Sequence, residues 1–202
     1  MKSFSKSILG GFAIGLGGLI FLSVDNKVIG SALFSIGLFL VLTMSLNLFT
    51  GKVCYVTDKD GPSVSDMVSI WVGNYIGTLL LAFILKYTRA YSQLATKAQG
   101  LCDIKNNDSY LSLFVLGILC NIFIFIAVDE FKNNQHTIGK YLAIILGVMG
   151  FILSGTEHCI ADMFYYNVTF SFTSATLVRL LVITAGNSVG GIIINIAVKR
   201  VK

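Results

Sequence analysis

The sequence predicts an all-α membrane protein of six transmembrane helices, arranged as two inverted halves of three, with the second and fifth helices broken. Composition is the first observation behind that reading. Of 202 residues, 55% are hydrophobic and only 12% charged, with a mean hydropathy of +0.81. An ordinary soluble domain has about 25% charged residues. So little charge cannot cover a soluble surface, and the same figures exclude a disordered chain, a nucleic-acid arm and a disulfide scaffold. The other two observations are apolar runs of bilayer length and a matched pair of polar interruptions.

A hydrocarbon core about 30 Å thick takes roughly 20 apolar residues per helix. Six runs qualify: about 8–24, 28–50, 67–87, 110–129, 139–167 and 173–198. The first continues past Gly17 and Gly18 with no small-residue cleavage site, so it reads as a retained span rather than a signal peptide. The second breaks into polar, Gly-containing sequence at Asn47-Leu-Phe-Thr-Gly51. The third contains Gly73-Asn-Tyr-Ile-Gly77. The fourth is uninterrupted. The fifth breaks at Ser154-Gly-Thr-Glu-His158, and the sixth contains Gly186-Asn-Ser-Val-Gly190. An interrupted run thus precedes a G-N-x-x-G run in each half. Three spans per half force opposite orientations, giving one domain over 1–202 with inverted halves of about 1–105 and 106–202. Interrupted helices in corresponding positions point to a pathway where the halves meet. Breaks at membrane depth survive only where the freed backbone groups meet protein or a water-filled cavity.

Loop charges give the sidedness. With six spans both termini share a side, which holds Lys2, Lys6, Lys52, Lys59, Lys132, Lys140, Lys199, Arg200 and Lys202. The other side holds Lys27, Lys86, Arg89, Lys97, Lys105 and Arg179. The excess favours cytoplasmic termini in the cell (inner or plasma) membrane. The net charge of +5, spread between apolar runs, suits anionic lipid better than nucleic acid. Cys54, Cys102, Cys120 and Cys159 lack paired spacing and read as small core residues, leaving the redox compartment open.

Chemistry concentrates in the fifth run, where Glu157, His158 and Asp162 sit within apolar sequence. Ionisable groups there cost several kcal/mol and normally face a cavity or a partner. His158 also reads as a buried histidine bonded to a carbonyl. On a continuous helix, His158 and Asp162 would share a face as metal ligands do, but a third ligand is wanting, since His136 lies in a polar loop. Cys159 beside His158 suggests a nucleophile pair, yet helix neighbours point about 100° apart and no oxyanion-hole motif accompanies them.

Five motifs in order, Asn47-Leu-Phe-Thr-Gly51, Gly73-Asn74-x-x-Gly77, Gly117-Ile-Leu-Cys-Asn121, Gly155-Thr-Glu-His-Cys-Ile-Ala-Asp-Met-Phe164 and Gly186-Asn187-x-x-Gly190-Gly191, resemble the formate/nitrite transporter family. The resemblance spans essentially the whole chain, starting at Gly11-Phe-Ala-Ile-Gly15. It implies an aquaporin-like protomer in a homopentamer, a channel rather than an enzyme, without metal or cofactor. Its substrates would be small monovalent anions or their conjugate acids: formate or nitrite first, hydrosulfide or a short monocarboxylate as alternatives. A membrane-embedded metal-binding enzyme subunit is the remote alternative. The resemblance makes His158 the pore histidine, Thr50 the threonine bonded to it, and Glu157 its motif neighbour. It makes Asn121 and Asn187 pore-lining or packing asparagines, and Lys105 the vestibule lysine. Phe34, Leu38, Leu48 and Phe49 fall at the cytoplasmic-side constriction or near the loop, and Phe151 at the opposite constriction.

By residue type alone, Phe and Leu in an apolar helix serve core or lipid contact. Lys105, in the polar stretch Asp103 to Asp108, is equally an ordinary solvated charge. The sequence departs from the family pattern at Asp162, where the motif usually has Asn. The fifth-to-sixth connection is short, and the chain begins almost at the first helix, leaving no room for an amphipathic gating segment. The expected mechanism has Lys105 gather anions. Each anion then takes a proton from His158 or bulk water and crosses the apolar rings neutral, with Thr50 orienting the imidazole.

Overall fold

The computed structural model describes residues 2–201; Lys202, counted above among the cytoplasmic charges, lies outside them. The described residues form nine helices and no strand. These are α1 (Lys2–Ser23), α2 (Lys27–Thr43), α3 (Phe49–Val53), α4 (Val64–Leu85), α5 (Tyr91–Asn107), α6 (Tyr110–Asn133), α7 (Thr137–Leu153), α8 (Cys159–Thr169) and α9 (Ser174–Val201). Four of them, α1, α4, α6 and α9, are long and apolar enough to cross a bilayer unaided. The predicted second and fifth runs are each two helices. The longer pieces, α2 and α7, have 17 residues each, about 25 Å at 1.5 Å per residue and just short of a full crossing. Only α5 lies outside the predicted set; it occupies what reads in sequence as a polar connection.

The helices repeat their arrangement: α1 packs on α4 as α6 packs on α9, and α2 meets α7 between the two pairs. Glycine sets the approach at both crossings. A Cβ on Gly77 would lie 2.0 Å from the Ile8 carbonyl oxygen, and one on Gly190 2.2 Å from that of Ile118. With no side chains intervening, backbones pack directly, the usual way membrane helices gain contact without a hydrophobic drive between them. The short helices then cross over. α3 sits against α4, α6 and α9, while α8 sits against α1, α4, α5 and α9, so each short helix reaches both halves. Phe164 of α8 fills the hollow left by Gly15 and Gly18 on α1.

Both breaks are built alike. α2 ends with Ser45 in the left-handed region (φ 52°), and α7 with Gly155 there (φ 67°). Ser45 N–H bonds the Leu42 carbonyl and Leu46 N–H that of Val41 (3.4 and 2.9 Å). Gly155 N–H bonds Ile152 and Thr156 N–H bonds Phe151 (3.2 and 3.1 Å). These are Schellman closures, which satisfy the last carbonyls of a helix. The first break covers residues 44–48 rather than the expected Asn47–Gly51, because Phe49, Thr50 and Gly51 already form α3.

An asparagine stitches each break to the helix beside it. Asn74 Oδ1 accepts from Phe49 N–H (2.9 Å), while its Nδ2 donates to the carbonyls of Asn47 (2.9 Å) and Ser7 (2.6 Å). Asn187 Oδ1 accepts from Cys159 N–H (2.9 Å), and its Nδ2 donates to those of Glu157 and Gly117 (both 2.8 Å). Each carboxamide thus meets the first N–H of a short helix and a carbonyl inside the break. Both are fully buried, so these backbone groups have no water as an alternative partner.

Two predictions follow from the breaks. Asn74→Ala and Asn187→Ala each orphan two buried backbone groups at a break and should lower stability by about 2–4 kcal/mol, read as a fall in the thermal unfolding midpoint in detergent. Ser45→Gly should raise that midpoint, and Gly155→Ala lower it, each by about 1 kcal/mol, since only glycine takes the left-handed conformation without a Cβ penalty.

Candidate functional site

Two clefts enter the protomer from opposite ends and stop short of each other. One, of about 290 Å³, is lined by Leu38, Leu48, Val128, Lys52 and Lys132 among others. The other, of about 150 Å³, is lined by Phe151, Glu157, His158, Asp162, Tyr165 and Lys105 among others. Between them solvent does not reach: Leu38, Leu48, Phe34, Thr50 and His158 are each 2% exposed or less. Phe34 meets Phe151 edge-on at 5.9 Å, and Phe151 stacks on the His158 ring at 5.4 Å.

His158 is the N-cap of α8, its Nδ1 accepting from Ala161 N–H at 3.2 Å. A ring nitrogen that accepts holds no proton, so a neutral imidazole has its proton on Nε2. Nε2 lies 3.0 Å from Thr50 Oγ1, and Nε2–H donates to it. The Thr50 hydroxyl proton is then free to point elsewhere. The backbone of Thr50 is held in turn, because Asn121 Nδ2 donates to its carbonyl at 3.1 Å. Asn121 Oδ1 is buried with no donor facing it. With both imidazole nitrogens engaged, His158 offers no free lone pair to a metal, and His136 is exposed at the start of α7.

Lys105 is not an exposed mouth charge. It is 6% exposed, and its ammonium lies 2.9 Å from Glu157 Oε2 and 3.3 Å from Asp162 Oδ1. α5 brings it there. Leu94, Ala98, Cys102 and Lys105 form that helix's buried stripe against α8. Arg179 fastens the helix end, donating from Nε to the Lys105 carbonyl (3.0 Å) and from Nη2 to that of Asn106 (2.5 Å). Tyr91 Oη bonds the Val168 carbonyl at 3.1 Å, and Tyr166 Oη bonds Asn106 Oδ1 at 3.0 Å. At the rim, Lys97 pairs with Asp25 at 2.7 Å, and this hydrogen bond holds the Asp25 carboxyl below the usual carboxylate range.

The structure therefore brings Thr50, His158, Glu157, Lys105, Phe34, Phe151, Leu38, Leu48 and Asn121 to the region between and around the clefts. Asn187 supports it from behind through the Glu157 carbonyl. Phe49 is the exception. Its backbone restarts the helix, and its side chain turns to a lateral apolar groove with Val53, Met67 and Trp71, away from both clefts. Two residues absent from the expected site belong to it. Asn74 is the counterpart of Asn187, and the repeated G-N-x-x-G motif is the signal that could have found it. Asp162, which the sequence places among the ionisable groups of the fifth run and at a departure from the family pattern, faces the second cleft beside Lys105.

Known proteins share this arrangement. The chain superposes on the structure of a pentameric formate channel with formate bound at a TM-score of 0.83, with 26% identity, covering 99% of this chain and 96% of that one. It is 28% identical over 149 residues to the formate channel FocA of Haemophilus influenzae, covering 69% of this chain and 52% of the relative. It is 26% identical over 184 residues to FocA of Escherichia coli K12, 81% of this chain and 65% of the relative. With the nitrite transporter NirC of Salmonella typhimurium it shares 26% identity over 212 residues, 93% of this chain and 78% of the relative. The chain thus spans between half and two thirds of the length of the FocA relatives it matches. A family model described as formate/nitrite transporter matches residues 1–200, and the chain belongs to that family.

Proposed function

We propose that this chain is one protomer of a homopentameric channel that passes small monovalent anions, formate or nitrite, as their conjugate acids across the cell membrane. It is not an enzyme. Both termini are cytoplasmic, so the Lys52 cleft opens to the cytoplasm and the Lys105 cleft outward. Residues 1–202 act as a single channel domain whose inverted halves, meeting near residue 105, enclose one pathway.

The observation that carries this reading is the Thr50–His158 bond (3.0 Å) set between two blind clefts behind apolar side chains. A bare anion pressed past Leu38 and Leu48, or past Phe34 and Phe151, would lose its hydration with little to replace it, at a cost no few hydrogen bonds repay. A neutral acid loses far less. It also finds a hydroxyl whose proton can turn toward it, because Thr50 already accepts from His158. The relatives that are formate channels and nitrite transporters favour these two substrates. Lys52 and Lys132 at the inner cleft raise the local anion concentration there.

In proteoliposomes, labelled formate should enter down its gradient faster at acid outer pH. Thr50→Ala and His158→Ala should each change that rate about tenfold or more, roughly what one lost hydrogen bond in a desolvated site is worth, and should alter its pH dependence. Unchanged rate and pH dependence in both variants would sink the reading. A second check is the mass of the purified complex in mild detergent. Five protomers are expected, and a monomer would count against the assembly.

A further inference from the structure

We infer that Asp162 is a proton carrier: at rest it holds a proton, shared with Glu157 under the Lys105 ammonium, and gives it to the anion entering the outer cleft. The inference rests on the channel reading and adds a source for the proton that reading needs.

The argument starts from a charge count. One ammonium faces two carboxyl groups, at 2.9 Å (Glu157) and 3.3 Å (Asp162), with all three side chains 8% exposed or less. The remaining groups around Asp162 supply no second buried cation; Lys27 of α2 lines the same cleft but is exposed to solvent, which screens its charge. α5 adds the Cys102 thiol, α6 the Cys120 thiol, and α8 itself Cys159, Tyr165 and Tyr166, with His158 at its cap. Arg179 of α9 is committed to the α5 carbonyls and to Tyr110. The buried faces of α1, α3, α4, α6 and α9 hold no acidic or basic side chain. Two ionised carboxylates would leave one negative charge buried and unmatched, and carboxyl pairs in such sites keep one proton between them.

Geometry says which oxygen holds it. Asp162 Oδ1 faces Lys105, but Oδ2 is buried with no donor directed at it. A carboxylate oxygen in that position is left unsatisfied, whereas a carboxylic O–H there is a donor free to be given away. Asp162 and Glu157 meet the same ammonium, so one proton serves the pair. His158 is poorly placed for the task. Its Nδ1 accepts the Ala161 N–H, and an imidazolium would set two donors against each other. Asp162 and His158 line the same outer cleft as Phe151, so an anion there stands beside the acid where the apolar side chains begin.

The step is a proton transfer without redox change. The Asp162 O–H bond breaks, an O–H bond forms on the anion, and the neutral acid moves inward. The new carboxylate stays beside Lys105, repels a second anion, and takes a proton from the outer solution. One proton then crosses with each anion, and the reverse sequence serves export.

Asp162→Asn keeps the side-chain size and removes the acid. In proteoliposomes, formate flux through the D162N channel should be roughly tenfold lower than wild type near neutral pH, a modest general-acid effect. It should converge to within about twofold at acid pH, where formic acid brings its own proton. A D162N profile overlaying the wild type, or one uniformly lower at every pH, overturns the assignment. A second readout needs no transport. Infrared spectra of purified wild type at neutral pH should show a buried carboxylic-acid carbonyl band. That band should vanish in D162N and also in E157Q, where a single carboxylate matches the ammonium. A wild type without the band, or a band surviving in both variants, likewise overturns it. A wild-type protein that passes neither formate nor nitrite at any pH overturns the channel reading instead, and the infrared result still decides who holds the proton.

Discussion

The structure depends on one constraint: inside a bilayer every backbone N–H and carbonyl must find a partner. Two helices nonetheless break there, and all else is arranged to meet the debt this creates. The Schellman closures deal with the ends of α2 and α7, and two buried carboxamides deal with the starts of α3 and α8. Because Asn74 and Asn187 each reach a neighbouring long helix as well, they hold the breaks at a fixed depth. Thr50 and His158 are the first-turn residue and the cap of those restarted helices. Their meeting is thus a by-product of how the breaks are satisfied.

The same economy explains the outer cleft. His158 spends Nδ1 as the cap of α8 and Nε2 on Thr50, so it orients groups and stays neutral. Charge is handled beside it, by Glu157 just before the cap, Asp162 one helical turn after it and Lys105 of α5. Hydrogen-bond geometry at the constriction and proton handling at the mouth are thereby assigned to different residues. α5 makes that division possible, since it brings an ammonium into a cleft formed by other helices.

Much of this was legible in the sequence. The apolar runs, the second interruption, the G-N-x-x-G pair and the Glu157–His158 element sit where their residue types predicted, because membrane spans are read from composition, while the first interruption falls a few residues earlier than predicted. The failures concern contacts made across the fold. Asn74 is 25 residues from the Phe49 N–H it accepts from, and no local pattern announces that bond. α5 was missed because its buried stripe, Leu94, Ala98, Cys102 and Lys105, has only one large apolar side chain and thus no hydrophobic period. Lys105 read as solvated because its partners lie on other elements. Phe49 was misassigned because its neighbour Leu48 does face a cleft, while restarting a helix turns the next side chain away.

The crossing-over of the short helices bears on how the protein is made. α3 belongs to the first half by sequence and meets α4 there, yet it also rests on α6 and α9; α8 belongs to the second and meets α9, yet it also rests on α1, α4 and α5. A chain emerging from the ribosome can insert α1, α2 and α4 and seat one side of α3 on α4 through Asn74, but the α6 and α9 side of that seat forms only when the final helix arrives. The first break is thus stitched within its own half and covered by the second. Each half completes the bed of the other's short helix, and the Thr50–His158 bond between the clefts forms only when both are present.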